Sequence, residues 1–495
     1  MASREWFSDK ISDLTQENQR ISLLSEFRDQ FQSLPLDEAQ TVANNVQLPL
    51  VFDCLNDSNK EQVDLACEVL SLLLGNLQLG KSTDQYEPAL ERALTHPNPS
   101  VKLMILNEIE RSLISEETLC QICEKTSLLR GIMMCIGDED LAVANKASSL
   151  IINIGITVPG SKKLISNELL IPLQDLISLN EVIKLRVYEV IINISKKAPF
   201  CLENFTKVGL VPKILAELDN DDILLKMNII EILCHLAEKE HGFFYLDQNG
   251  VLDKIFALTN DDDITSQLCK PGVIKFFGRV GIKKPRELVA KYPALLDYLY
   301  SNIESSDLTI VGVSLDAIGH IGSTPFGKIA LSSTGAKIDG TIKTVFKLLS
   351  SLPTETRIRA LNCLQNLFHS ERCDTVQLSE RWYGLLGPDA TDVIVRYAKN
   401  PFSELKLAGL GILKSLSEQH WGQEVIKNTP GLIEFLLDRN VETDKDCKEA
   451  KFDIVRNLSR SHEVFDIHTL EKFQQYVKEG PFYVQAVTEV AIEGN

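Results

Sequence analysis

The chain has 495 residues, of which 44% are hydrophobic and 24% charged, and it carries a net charge of −18 from 69 acidic and 51 basic residues. That length exceeds what one compact core holds, and the apolar content is too high for disorder over most of it. The acidic balance argues against nucleic acid or anionic membrane as the main partner, because both reward clustered Lys and Arg, and it permits a basic protein partner.

Residues 1–10 are charged and lack an apolar run, so no signal peptide is expected. No stretch approaches 18 uncharged apolar residues, so no membrane span is expected either. Trp6, Phe7, Ile11, Leu14, Ile21, Leu24, Phe27 and Phe31 recur at helical spacing, so residues 1–45 read as N-terminal capping helices.

From there onward apolar residues recur at i, i+3, i+4 and i+7, as in Leu185, Val187, Val190, Ile191 and Ile194, and again in Met227, Ile229, Ile230, Leu233 and Leu236. Alternating strand patterns are scarce. Pro and Gly are expected between periodic segments, at Pro159-Gly160, Gly209, Gly250, Pro271-Gly272 and Pro430-Gly431. Three helix starts align, at Leu170-Ile171-Pro172, Leu210-Val211-Pro212 and Val251-Leu252. The first two lead through Asn/Asp turns (Leu179-Asn180-Glu181 and residues 219–222) into a longer helix.

That longer helix carries an apolar–polar–apolar triplet, Ile152-Asn153-Ile154, then Ile192-Asn193-Ile194, then Cys234-His235-Leu236. Weaker copies centre on Asn76, Ser112, Arg279, His320, Asn366, Ser415 and Asn457. The spacing is close to the period of about 40–47 residues of armadillo and HEAT repeats. A helical unit of this kind buries its apolar face only by stacking on its neighbours. The expected fold is therefore an all-α, armadillo/HEAT-type helical-repeat solenoid. One continuous array is expected, with about ten repeats over residues 46–460 and a C-terminal cap and tail over residues 461–495.

In such solenoids the inner helix of each unit lines the concave face. Counting back from the repeated polar position gives a stripe on that helix. It runs through Lys146, Ser149 and Asn153, then Arg186, Glu189 and Asn193, then Asn228, Glu231 and His235. It continues with Lys275 and Arg279, Asp316 and His320, and Arg359, Asn362 and Asn366, with Asp453 and Asn457 at the end. Stacking aligns these side chains into a ladder. Asn and His both donate and accept, which suits an irregular protein surface.

Two segments imitate chemistry. Gly75 to Ser82 fits G-x-x-x-x-G-K-[ST] letter for letter. A phosphate loop, however, follows a strand, and residues 66–74 have helical spacing. Cys120-Gln121-Ile122-Cys123 is a C-x-x-C without two further ligands at zinc spacing; Cys135 and His96 are near but fit no such pattern. The eight His residues form no H-E-x-x-H, and no nucleophile elbow is present. No enzyme activity, cofactor or metal is expected. The acidic run Asp261-Asp262-Asp263 reads as a solvated turn. Eleven cysteines without a paired framework suit a reducing compartment, the cytosol or the nucleus.

Several stretches, in order, resemble one family. They are His96-Pro97 with Ser100-Val101-Lys102; Cys135-Ile136-Gly137 with Leu141 and Val143-Ala144; Arg186-Val187-Tyr188-Glu189; and Pro271-Gly272 with Lys275-Phe276-Phe277-Gly278. Tyr292-Pro293, Ile303-Glu304-Ser305, Gly312-Val313 and Gly480-Pro481-Phe482-Tyr483-Val484 follow. The ordered set resembles the 26S proteasome non-ATPase regulatory subunit 5 family. That resemblance implies a chaperone for assembly of the regulatory-particle base. Such a protein binds the C-terminal domain of one AAA-type ATPase subunit, regulatory subunit 7. The neighbouring ATPase and the large base scaffold subunit are nearby. It holds the ATPase tail from the 20S core, leaves before the particle matures, and is a monomer outside the complex. The resemblance transfers no compact binding motif, so the ladder residues rest on the repeat pattern alone. Two other readings stay open. An armadillo-type adaptor for nuclear import or signalling predicts Trp/Asn pairs in the groove, yet Trp6, Trp382 and Trp421 all fall outside the Asn array. A nucleotide-binding enzyme would use Gly75 to Ser82.

Overall fold

The computed structural model describes residues 4–259, 264–370 and 372–483. Every regular element among them is helical. No single described helix is long and apolar enough to cross a membrane. The chain divides into two compact units, Met1–Asn249 and Gly250–Asn495.

Each unit repeats the order short helix, short helix, long helix. The long helices of the first unit are α1 (Lys60–Gly75), α2 (Pro99–Ser112), α3 (Leu141–Gly155), α4 (Glu181–Ser195) and α5 (Ile223–Ala237). Those of the second are α6 (Ile264–Lys283), α7 (Leu308–Gly322), α8 (Thr354–Phe368), α9 (Ser403–Ser417) and α10 (Lys445–Leu458). Within each unit every long helix packs on the next, and the short helices form flanking rows. Ahead of α1, the helix Arg20–Gln32 packs on it and closes the first unit with a cluster of Phe7, Phe27 and Phe31. Phe7, Ile11, Leu14, Leu24, Phe27 and Phe31 are buried as expected, whereas Trp6 and Ile21 are half-buried. Helix Ile467–Glu479 ends the described part of the second unit.

Seven of the ten long helices start where an Asn or Asp precedes an apolar-periodic run, whereas α8 and α9 follow Pro353 and Phe402. Asn59, Asn98, Asp140, Asn180, Asp222, Asp307 and Asp444 each accept a bond from a first-turn N–H. Such a cap contributes about 1 kcal/mol. The corner after the long helix is set by glycine in four repeats. Gly160, Gly242, Gly327 and Gly422 each stand third in the following short helix. A Cβ there would lie 2.0, 2.1, 1.7 and 2.3 Å from the carbonyl oxygens of Ile154, Leu236, Ile321 and Leu416. Only glycine admits that approach.

Side chains of the next repeat then capture carbonyls at the C-terminal ends of long helices, groups that otherwise lack partners. His241 Nε2 lies 3.0 Å from the Ser195 oxygen, and Gln419 Nε2 donates to Phe368 at 2.6 Å. Lys328 Nζ donates to the carbonyls of both Gly322 and Asn366 and so ties α7 to α8. Between these clasps the core is a row of fully buried side chains, such as Val143, Ala147, Leu150 and Ile154 in α3, facing Val187, Ile191 and Ile194 in α4. Burying each large aliphatic contributes about 1.5–3 kcal/mol.

Three expectations are corrected. Pro271-Gly272 does not separate segments but lies inside α6, the longest helix at 20 residues. That helix begins earlier than the repeat pattern requires, so Pro271 falls in its second or third turn, where the flanking Cys269 and Val273 are buried. Leu170 does not open a helix; the helix is Asn167–Leu179, with Pro172 in its interior. Ser112 and Ser415 are buried, and Asn76 is the C-cap beyond α1, so these three do not share the outward position of Asn153 and Asn193. Residues 261–263 and Val484 lie outside the described residues.

Candidate partner-binding face

A helix packed along one side of a row leaves its opposite side to solvent. On seven of the long helices, α3 to α8 and α10, that side holds the predicted ladder. Ser149 and Asn153 on α3, Glu189 on α4, and Asn228 and Glu231 on α5 are exposed, while Lys146, Arg186, Asn193 and His235 are half-buried. In the second unit Lys275, His320 and Asn362 are exposed, and Arg279, Asp316, Arg359 and Asn366 are half-buried. Asp453 and Asn457 on α10 are half-buried too.

The ladder divides by what its side chains do. Some are consumed by the fold. Lys146 Nζ pairs with Glu110 at 2.5 Å, and Arg186 donates to the carbonyls of Ile136 and Asp138. Arg359 reaches Asp316 on α7 at 2.8 Å and Glu355 at 2.9 Å, so two predicted site residues pair with each other. Asn228 turns back to its own helix, to the Leu224 carbonyl at 2.9 Å, and Asn457 donates to Ser417 at 3.0 Å. Glu231 and Arg279 are also engaged. Others are not. Among the described residues, the side chains of Ser149, Asn153, Glu189, Asn193, His235, Lys275, His320, Asn362 and Asn366 have no hydrogen-bond or ion-pair partner. A polar side chain held on a rigid helix without an internal partner is available to another protein.

The polar ladder is accompanied by an apolar one that the repeat pattern did not single out. Leu141, Val182 and Leu224 occupy the first or second position of α3, α4 and α5 and are 65%, 66% and 71% exposed. The sequence carried the signal, because each follows the capping residue of its helix by one or two positions. Counted from Asp140, Asn180 and Asp222, Leu141 stands one position on and Val182 and Leu224 stand two positions on. Exposed apolar groups beside unengaged polar ones are the composition of a protein-binding surface.

The two imitations of chemistry resolve differently. The segment before Gly75 is helix α1 rather than a strand. Ser82, which would face a metal–phosphate group in a nucleotide site, donates instead to the buried carboxylate of Glu108 at 2.5 Å, and Glu108 is paired with Arg111 at 2.8 Å. The loop is thus occupied by the protein's own carboxylate, which repels phosphate. Cys120 and Cys123 lie on the helix Glu116–Glu124; Cys123 is buried, and burial pushes its thiol up to about 11. That leaves it protonated and a poor metal ligand or nucleophile.

A sequence model of the proteasome non-ATPase 26S subunit family matches residues 3–495. The chain belongs to that family. Among members of the proteasome non-ATPase 26S subunit family, a protein from Bos taurus named 26S proteasome non-ATPase regulatory subunit 5 is 34% identical over 94% of each chain. The protein of the same name from Homo sapiens is 32% identical, also over 94% of each chain, and that from Drosophila melanogaster is 29% identical over 99% of this chain and 98% of its own. Among solved structures, importin beta is similar in fold, with a TM-score of 0.54 over 96% of this chain and 64% of its own, at 12% identity. The helical-repeat solenoid expected from the repeat spacing is the fold observed.

Proposed function

We propose that this chain associates with the 26S proteasome as a chaperone for assembly of the regulatory-particle base. It binds the C-terminal domain of one AAA-type ATPase subunit, regulatory subunit 7, on the solvent side of its long helices, and leaves before the mature particle forms. The observation that carries this reading is the set of unengaged polar side chains on successive long helices, beside exposed Leu141, Val182 and Leu224. Family membership supplies the proteasome context. Among the described residues the free cysteines, buried apart from Cys120, accord with a reducing compartment, the cytosol or the nucleus. Trp382 is fully buried, and Trp6, Trp382 and Trp421 all lie off the long helices, which disfavours the import-adaptor reading.

The test is affinity capture from extract with the full chain and with the triple variant Glu189→Ala, Asn193→Ala, His235→Ala. Wild-type protein is expected to retain base ATPase subunits without the 20S core, and the variant to lose at least tenfold at unchanged melting temperature. Recovery of karyopherins in place of proteasome subunits would support the adaptor instead.

A further inference from the structure

On the solvent side of α8, α9 and α10 lies a depression of about 630 Å³. Its floor is apolar and small: Leu407, Ala408 and Gly411 on α9, flanked by Ile358 on α8 and Ala450 on α10. The Gln365 side chain lies against Gly411, where a Cβ would come within 2.3 Å of its oxygen, so glycine lets α8 and α9 approach at the floor. Leu407 is 38% exposed within it.

The rim is acidic. Glu404, Asp446, Glu449 and Asp453 line it, against the single ammonium of Lys414. Lys414 is spent on Asp453, at 2.6 Å, and Arg456 outside the rim also pairs with Asp453. Glu449 has only a distant contact at 3.8 Å with the exposed Lys445. Glu404 and Asp446 have no cationic partner among the described residues. An apolar hollow between unpaired carboxylates favours one chemistry, an apolar side chain flanked by positive charge.

We propose that this depression is a docking site for a segment of a partner protein that inserts apolar side chains between Lys or Arg residues. The proposal deepens the base-chaperone reading, resting on it for the partner's being a protein, and specifies which part of the face takes which kind of segment. The carboxylates of Glu404 and Asp446 meet the segment's cations. The apolar floor around Leu407 takes its apolar anchor. Two features are required together, so charge alone or apolarity alone is insufficient.

The experiment uses the full chain and a fluorescein-labelled nonapeptide of alternating arginine and leucine, with fluorescence anisotropy as readout. Leucine–serine and arginine–serine peptides of the same length are controls and are expected to bind at least tenfold more weakly. Leu407→Asp, which removes the exposed apolar group of the floor, and the double reversal Glu404→Lys, Asp446→Lys, at exposed positions, are each expected to weaken the arginine–leucine peptide at least tenfold. Neutralising Glu61 and Asp64 on α1 is expected to change it less than twofold. Thermal melting identifies any variant that fails to fold; the charge reversals then decide alone. Equal binding of the arginine–serine peptide, or unchanged binding by the double reversal, overturns the proposal. Capture of ATPase subunits by the wild-type chain is read separately and bears only on the base-chaperone reading.

Discussion

Gly327 and Lys328 stand side by side at one corner and show two kinds of local demand. At Gly327 the demand is steric. A methyl group would meet the Ile321 carbonyl oxygen at 1.7 Å, and backbone cannot yield as a side chain can. Gly327→Ala is expected to destabilise the protein by roughly 2–4 kcal/mol, at and beyond the upper end of the usual range for a substitution, seen as a lower urea midpoint. At Lys328 the demand is electrostatic. The side chain is 1% exposed, and desolvation lowers its pKa to about 7, well below the roughly 10.4 of an unfolded lysine. Between those values the unfolded chain holds more protons than the folded one, so stability rises with pH from about 7 upward and is lowest below 7. The slope from this one group is at most about 1.4 kcal/mol per pH unit. In urea unfolding at pH 6.5 and 9, Lys328 is expected to contribute a rise in the wild-type midpoint, set against the fall contributed by buried thiols such as Cys363, which burial pushes up to about 12. Lys328→Met is expected to remove that rise while losing the link from α7 to α8. An equal slope in the variant would assign the pH dependence elsewhere.

At the scale of the element, the long helix is what the sequence wrote most clearly. Its N-cap, its apolar stripe and its polar position lie within one stretch of about 15 residues, and all act locally. Asp222 illustrates this: it accepts from Leu225 N at 3.0 Å and starts α5. Asp222→Ala is expected to cost about 1 kcal/mol, with increased amide exchange confined to the first turn of α5. Where the same pattern misled, a longer-range contact had overridden it. Pro271-Gly272 resembles a helix stop, but α6 runs through it because Cys269 and Val273 are buried on either side. Ser112 and Ser415 resemble ladder residues, but each lies on the packed side of its helix. Likewise the ladder's location was legible from periodicity, whereas its division into engaged and unengaged members was not. That Lys146 is taken by Glu110 from 36 residues away, and Asn193 by nothing, depends on how neighbouring repeats stack. Leu141, Val182 and Leu224 escaped because apolar residues in an amphipathic helix are first read as core.

At the scale of the whole chain, the net charge of −18 conceals a local reversal. Residues 270–291 hold Lys270, Lys275, Arg279, Lys283, Lys284, Arg286 and Lys291 against one acid, Glu287. Lys275, Arg279 and Lys283 follow one another at i, i+4 and i+8 on α6 and so share a face, the solvent side that carries the second unit's ladder. Lys275 and Lys283 are exposed and have no ion-pair partner among the described residues. A cationic stripe in an anionic protein orients an approaching partner, because the rest of the surface repels the partner's acidic part and this stripe attracts it. Long-range orientation acts on encounter rather than on the docked state, and it is screened over about 8 Å at physiological ionic strength. On the proposed base-chaperone reading, Lys275→Glu with Lys283→Glu is therefore expected to slow association with the proposed ATPase C-terminal domain by about three- to tenfold, and to change dissociation less than twofold. Raising salt from 50 to 500 mM is expected to slow the wild type and leave the variant nearly unaffected. Surface-plasmon kinetics on the full chain distinguishes the two rates. If the substitutions acted mainly on dissociation, the lysines would be contact residues of the docked complex and the steering role would fall.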